Sequence, residues 1–202
     1  MKRQLCSQCD RPLAVCFCHN LKSCANHWPV WILQHPAEKK HAIGTAKIAI
    51  LGLNKVLSID SQHVFQNEMF QTSIQSQTPI LVYPGENSKT LEQLKTEETR
   101  PLLFLDGSWR KTRKMLYDFP ALTELPRVAI TPEKSSRYRI RKEPNESAIS
   151  TLEAIVHVLS ILENNDEKYQ SLLDTMDWMI DKQIELMGKD VYLKNYESNK
   201  HD

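Results

Sequence analysis

Apolar residues along this chain fall into two alternating patterns. Short unbroken runs occur in "VWILQ" (30–34), "PILVYPG" (centred on 80–82), "RPLLFLDG" (102–105) and "RVAI" (127–130), each closed by Pro, Gly or polar residues, and they predict strands buried on both faces. Between and beyond them, "TAKIAILGLNKVL" (45–57), "SWRKTRKMLYDF" (108–119), "SAISTLEAIVHVLSIL" (147–162) and "YQSLLDTMDWMIDKQIELM" (169–187) carry apolar residues at helical spacing. The second of these is predicted to end before Pro120, because a residue preceding proline disfavours helical geometry. The third opens with Ser150 and Glu153, the capping-box pair that satisfies free helix amides reciprocally. In the fourth, Tyr169, Leu172, Leu173, Met176, Ile180, Ile184 and Met187 form one stripe ending before Gly188, which reads as core.

Strands alternating with helices predict an α/β domain built on a mostly parallel sheet flanked by helices. Ligands of such sheets bind beyond the carboxyl ends of the strands. Attention therefore falls on the residues after each run: "HPAE", "YPGE", "DGSW" and "TPEK". The strand order that would bring these loops together is not visible in the sequence.

At 202 residues the chain is sized for one substantial core. All five cysteines lie in the first 24 residues, a poor arrangement for stapling a fold by disulfides and a good one for holding a metal in a reducing compartment. Cys6-x2-Cys9, six residues, then Cys16-x-Cys18 offers four soft thiolates suited to structural tetrahedral zinc, with His19 and Cys24 close enough to replace one of them. The division expected is a zinc-binding segment over 1–27, an α/β catalytic domain over 28–190 and a polar tail over 191–202. There is no run near the roughly 18 apolar residues of a membrane span and no basic-then-apolar opening, so a cytoplasmic protein with no membrane partner is expected.

The net charge of +1 hides an asymmetry. Residues 110–142 hold ten Lys or Arg against three acids, while 163–202 hold ten acids against five bases, so a polyanion would be drawn to the middle of the chain. The stretch "LDGSWRKTRKM" (105–115) sets Asp106 at a strand end, as a helix cap or a ligand-facing carboxylate, and Trp109 at the start of a helix whose Arg110, Arg113 and Lys114 share a face. In "SSRYRIRKEP", Arg137, Arg139 and Arg141 alternate with Tyr138 and Ile140, which in an extended segment places the guanidinium groups on one side, able to track phosphates. Neither a Gly-x-Gly-x-x-Gly nor a Walker lysine loop is present.

Cys6-x2-Cys9-x-Arg11-Pro12, Cys16-x-Cys18, "QHPAE", "YPG", "LDGSW", "YRIRKEP" and "STLEA", in this order from Cys6 to about Leu162, resemble the DTW-domain proteins, the tRNA-uridine aminocarboxypropyltransferases. The element that names the family, Asp-x-Thr-Trp, reads Asp106-Gly107-Ser108-Trp109 here, with serine keeping the hydroxyl; Gly44 stands where relatives often carry Asn. The resemblance implies transfer of the 3-amino-3-carboxypropyl group of S-adenosylmethionine to N3 of a tRNA uridine, releasing methylthioadenosine. It also implies a SPOUT-like fold with a C-terminal trefoil knot. Under it Asp106, Ser108 and Trp109 become candidate catalytic residues, with Asp106 as base for the N3 proton or as a group positioning the uracil edge or the donor. Tyr83, Pro84, Gly85, Leu105, Asp106, Ser150, Thr151 and Glu153 become candidate donor-binding residues, and His35 and Glu38 join the arginines and Lys114 on the tRNA side. Competing readings are a methyltransferase using the same donor and fold, and a zinc-stabilised RNA-binding module without catalysis.

Overall fold

The computed structural model describes residues 4–39, 41, 43–131, 136–140 and 148–197. Five strands, β1 (Val30–Gln34), β2 (Val56–Asp60), β3 (Ile80–Val82), β4 (Leu102–Asp106) and β5 (Arg127–Val128), form one sheet in the order β2-β1-β4-β3-β5. Every pairing is parallel, so the α/β class with a parallel sheet and flanking helices holds. β1 and β4 are buried at all five positions, as expected of central strands covered on both faces. Because β1, β4, β3 and β5 are consecutive neighbours, the loops leaving their carboxyl ends share one edge.

Side chains alternate between two cores. Val30, Ile32, Leu102, Phe104, Ile80 and Val128 face one core, completed by α2 (Ala46–Gly52), α6 (Thr151–Leu162), α7 (Gln170–Met187) and the N-terminal segment. Trp31, Leu33, Leu81, Leu103 and Leu105 face the other, closed by Phe70 of α3 (Glu68–Gln77), Met115 of α5 (Trp109–Asp118) and Leu122 of the 3-10 turn Pro120–Leu122. Two four-residue helices, α1 (Pro36–Lys39) and α4 (Leu91–Leu94), fill connections. Ser150 and Glu153 make both bonds of the capping box, and α7 ends at Gly188, whose φ of 86° lies in the region that favours glycine.

The helix expected over 45–57 is a correction. It stops at Gly52, and Val56–Asp60 is the edge strand β2. Only Ile59 of that strand is buried and Leu57 is exposed, so the run lacks the continuous apolar signature of a central strand. Gly52 is required by packing: a Cβ there would sit 2.5 Å from Cδ2 of the buried Leu172. The strand expected over 127–130 is confined to Arg127–Val128. Polar α3 and short α4 lacked an apolar stripe from which to predict them. Residues 191–197, read as the start of a polar tail, continue as helix: α8 (Lys189–Tyr192) runs into a π-helical turn, Leu193–Glu197, with Tyr192 buried and stacked on Tyr196 at 5.7 Å between ring centroids.

Candidate active site

Asp106 is the last residue of β4 and lies on the same sheet face as Leu102 and Phe104. It is not the cap of the following helix; Ser108 occupies that position. The in-register pairing of Gln34 with Asp106 sets both side chains on one face, and Gln34 Nε2 donates to Asp106 Oδ2 at 2.8 Å. Thr151, first residue of α6, donates its hydroxyl to Asp106 Oδ1 at 2.6 Å. A carboxylate only 7% exposed is thus oriented by two neutral donors. Of the positive charges that follow it in sequence, Arg110, Arg113 and Lys114 are exposed on α5, while half-buried Lys111 pairs with Glu38.

Two cavities meet at this strand end, sharing Gly107, Ser150 and Thr151 as their common wall. The first, of about 510 Å³, is the more polar of the two: Glu38, His41, Asp106 and Ser108 line it together with Tyr138 and Asn195. The second, of about 160 Å³, is more apolar, walled by Tyr83, Pro84, Leu105, Trp109 and Ile130. Trp109 is 43% exposed and meets Tyr83 edge-on, ring centroids 5.6 Å apart, so an indole and a phenol frame the mouth. Ser108 makes no capping bond with its side chain, which leaves the hydroxyl for a ligand in the polar cavity.

Four thiols gather in the N-terminal segment, which packs on α7 and against the start of α2. The Sγ atoms of Cys6, Cys9, Cys16 and Cys18 all lie within 4.8 Å of one another, with the Cys6–Cys18 and Cys9–Cys16 pairs at 3.8 Å. Tetrahedral zinc with bonds of about 2.3 Å requires thiolates about 3.8 Å apart, so this set fits that ion. Backbone amides of Cys9 and Gln8 hold the Cys6 thiol down at about 6, whereas desolvation and the neighbouring sulfurs push Cys16 and Cys18 up; a divalent cation would let all four ionise. His19 and Cys24 are engaged elsewhere, the first edge-on to Trp178 and the second beside Ser171. Arg11 connects the cluster to the site: it is buried, its guanidinium lies over Phe17, and Nη2 donates to the carbonyl of Gly44, which lines the polar cavity.

The sequence profile of the DTW domain matches residues 3–184. The chain belongs to the DTW-domain family. It is 30% identical to tRNA-uridine aminocarboxypropyltransferase 2 of Drosophila melanogaster over 96% of this chain and 82% of that protein. It is also 27% identical to the Macaca fascicularis protein of the same name, over 96% and 70%, and 24% identical to tRNA-uridine aminocarboxypropyltransferase A of Arabidopsis thaliana, over 85% and 77%. No solved structure matches the chain.

In this DTW domain the residues singled out by sequence divide into three groups. Asp106, Ser108, Ser150, Thr151 and Glu38 border the polar cavity, and Tyr83, Pro84, Leu105 and Trp109 the apolar one. Others support the site without lining either cavity. Glu153 is taken up by the amides of Ser150 and Arg137 and the Ser136 hydroxyl; Gly85 passes so close to Arg127 that a Cβ would lie 2.4 Å from Nη1; His35 accepts from the Ala37 amide through Nδ1. The remaining group is cationic. Lys114 pairs with Asp118 at 2.8 Å, while Arg110 and Arg113 have no carboxylate partner among the described residues; Lys111, which sequence had not singled out, pairs with Glu38 at 2.5 Å. The 137–140 segment is a turn, yet it keeps the alternation expected of an extended one: Tyr138 and Ile140 are buried, and Arg137 and Arg139 point outward to Asp177 and Asp181 of α7. Arg141 and residues 132–134 of the "TPEK" loop lie outside the described residues. His41, Thr45, Asn195 and Tyr196 line the polar cavity without having been anticipated, since none carries a local motif and Asn195 and Tyr196 arrive from the far end of the chain.

Proposed function

We propose that this protein is a tRNA-uridine aminocarboxypropyltransferase, moving the 3-amino-3-carboxypropyl group of S-adenosylmethionine to N3 of a uridine and releasing methylthioadenosine. The observation that carries the reading is the buried, doubly hydrogen-bonded Asp106 carboxylate at the junction of an apolar and a polar cavity. The names of the relatives support the substrate class.

In the reaction N3 forms a bond to the carbon next to sulfur, the carbon–sulfur bond breaks with its electron pair going to sulfur, and the N3 proton leaves. Uridine N3 is a poor nucleophile until that proton is taken, and Asp106 is assigned to accept it. The apolar cavity is smaller than the roughly 300 Å³ of typical ligand pockets. The reading therefore gives Tyr83, Pro84, Leu105 and Trp109 the flat, apolar part of the donor, while the transferred chain crosses the Gly107–Ser150–Thr151 wall into the polar cavity. There the N-terminus of the twelve-residue α6 and the Ser108 hydroxyl favour its carboxylate. Positioning two reactants on either side of one wall supplies much of the acceleration, since the sulfonium is already a good leaving group. Cys6, Cys9, Cys16 and Cys18 are assigned a structural zinc. The same reading includes the SPOUT-like architecture with a C-terminal trefoil knot, consistent with α6 and the 189–197 helices returning to the ends of central strands; a crystal structure with donor bound tests it.

Incubating purified protein with tRNA and donor labelled in the methionine carbon chain tests the activity. Label in a tRNA nucleoside together with methylthioadenosine is expected. S-adenosylhomocysteine with an unlabelled nucleoside would instead mean methyl transfer, and tRNA binding without product would leave a binding module.

A further inference from the structure

The outer face of α5 is unusual for a solvated helix. Trp109, Arg113 and Tyr117 follow one another at four-residue spacing, with Arg110 and Lys114 beside them, and all five are exposed. Tyr117 is 85% exposed and Trp109 43%, whereas Thr112 and Met115 on the opposite side are buried. A large aromatic ring standing almost wholly in water adds nothing to either core. Its neighbours along the stripe are cations, and Arg113 spends one donor on the Trp109 carbonyl at 3.4 Å and finds no carboxylate among the described residues.

We propose that this face is a second nucleotide subsite, in which Tyr117 stacks on an unpaired base of the tRNA flanking the target uridine while Arg110 and Arg113 contact its phosphates. The inference rests on the tRNA reading above and extends it from the cavity to the strand entering it. Aromatic rings interleaved with arginines match a polyanion whose bases present flat faces, and the stripe begins at Trp109, which lines the apolar cavity, so it continues the proposed tRNA site. Trp109 stands at the cavity mouth, and eight helical residues at 1.5 Å place Tyr117 about 12 Å further along the axis. At about 3.4 Å per stacked nucleotide that distance spans no more than about four nucleotides. The subsite therefore selects uridines in single-stranded loops, where neighbouring bases are free to leave their stack.

The test compares wild type, Tyr117→Phe, Tyr117→Ala and Arg113→Ala for affinity to an unmodified tRNA transcript and for steady-state modification. Tyr117→Phe keeps the ring and should bind as wild type. Tyr117→Ala should raise Kd and KM about tenfold, within the range for loss of one base–aromatic stack, with kcat unchanged. Its salt dependence should stay that of wild type, whereas Arg113→Ala should lower the slope by about one. Unchanged Kd and KM in Tyr117→Ala would overturn the proposal, as would a change of oligomeric state in light scattering without a change in tRNA affinity, which would assign the face to a second copy of the chain. Failure of wild type itself to bind or modify tRNA removes the underlying reading instead, so the two failures are distinct.

Discussion

Asp106→Asn is the most informative single change, because it removes a charge and almost no shape. The carboxylate accepts from Gln34 at 2.8 Å and from Thr151 at 2.6 Å. The amide retains one oxygen for Gln34, and its NH2 can donate to the Thr151 hydroxyl, which is able to reverse its role. Two bonds to a charged group, each about 1.5–3 kcal/mol, become neutral bonds of about 0.5–1.5 kcal/mol. Relief from burying the charge offsets part of that loss. A net cost of about 1 kcal/mol is expected, a fall in Tm of about 2–4 °C for a chain of this size. Activity should drop far more, by about 10²- to 10⁴-fold in kcat, as removal of a general base does. Methylthioadenosine release and nucleoside mass spectrometry measure the rate, and filter binding measures tRNA affinity, which should be unchanged. A folded Asp106→Asn protein retaining a rate within about fivefold of wild type would refute the assignment of the N3 proton to this carboxylate.

Other consequences can be measured independently. Elemental analysis should find zinc bound, and Cys9→Ser or a strong chelator should lower Tm sharply, since structural zinc contributes about 10–16 kcal/mol of apparent binding free energy; an unchanged Tm after metal removal would leave the thiol cluster without a structural role. Gly52→Ala should destabilise by about 1–3 kcal/mol, because its methyl would meet the buried Leu172 at 2.5 Å, and denaturant unfolding with an unshifted midpoint would contradict the packing. Replacing Arg137 and Arg139 together by Ala should lower stability and leave the salt slope of tRNA binding nearly intact: desolvation already holds the Asp177 carboxyl above its usual range, and loss of the nearby guanidinium groups leaves it uncompensated. A slope reduced by about two with unchanged Tm would return those arginines to phosphate binding.

These predictions depend on two kinds of information, only one of which is local. The central strands and the capped helix were legible because their causes lie within a few residues: unbroken apolar runs at 30–34 and 102–105, and Ser150 with Glu153 at helix-start spacing. β2 was not legible, since an edge strand with one buried residue has no such run. Nor was the fate of the arginines at 137 and 139, whose partners Asp177 and Asp181 are about forty residues away and looked like part of a solvated acidic segment. Asp106 stood out by its position after an apolar run, but what makes it useful comes from elsewhere. Gln34 reaches it only because β1 and β4 are neighbours in parallel and in register. A shift of one residue between those strands would send the Gln34 side chain to the opposite core and leave Oδ2 without that donor. Thr151 meets Oδ1 because the start of α6 packs across β4. The chemistry of this strand end is therefore a property of sheet order, and substitutions in the β1–β4 pairing that leave every cavity-lining residue in place should still reduce turnover by disorienting the carboxylate.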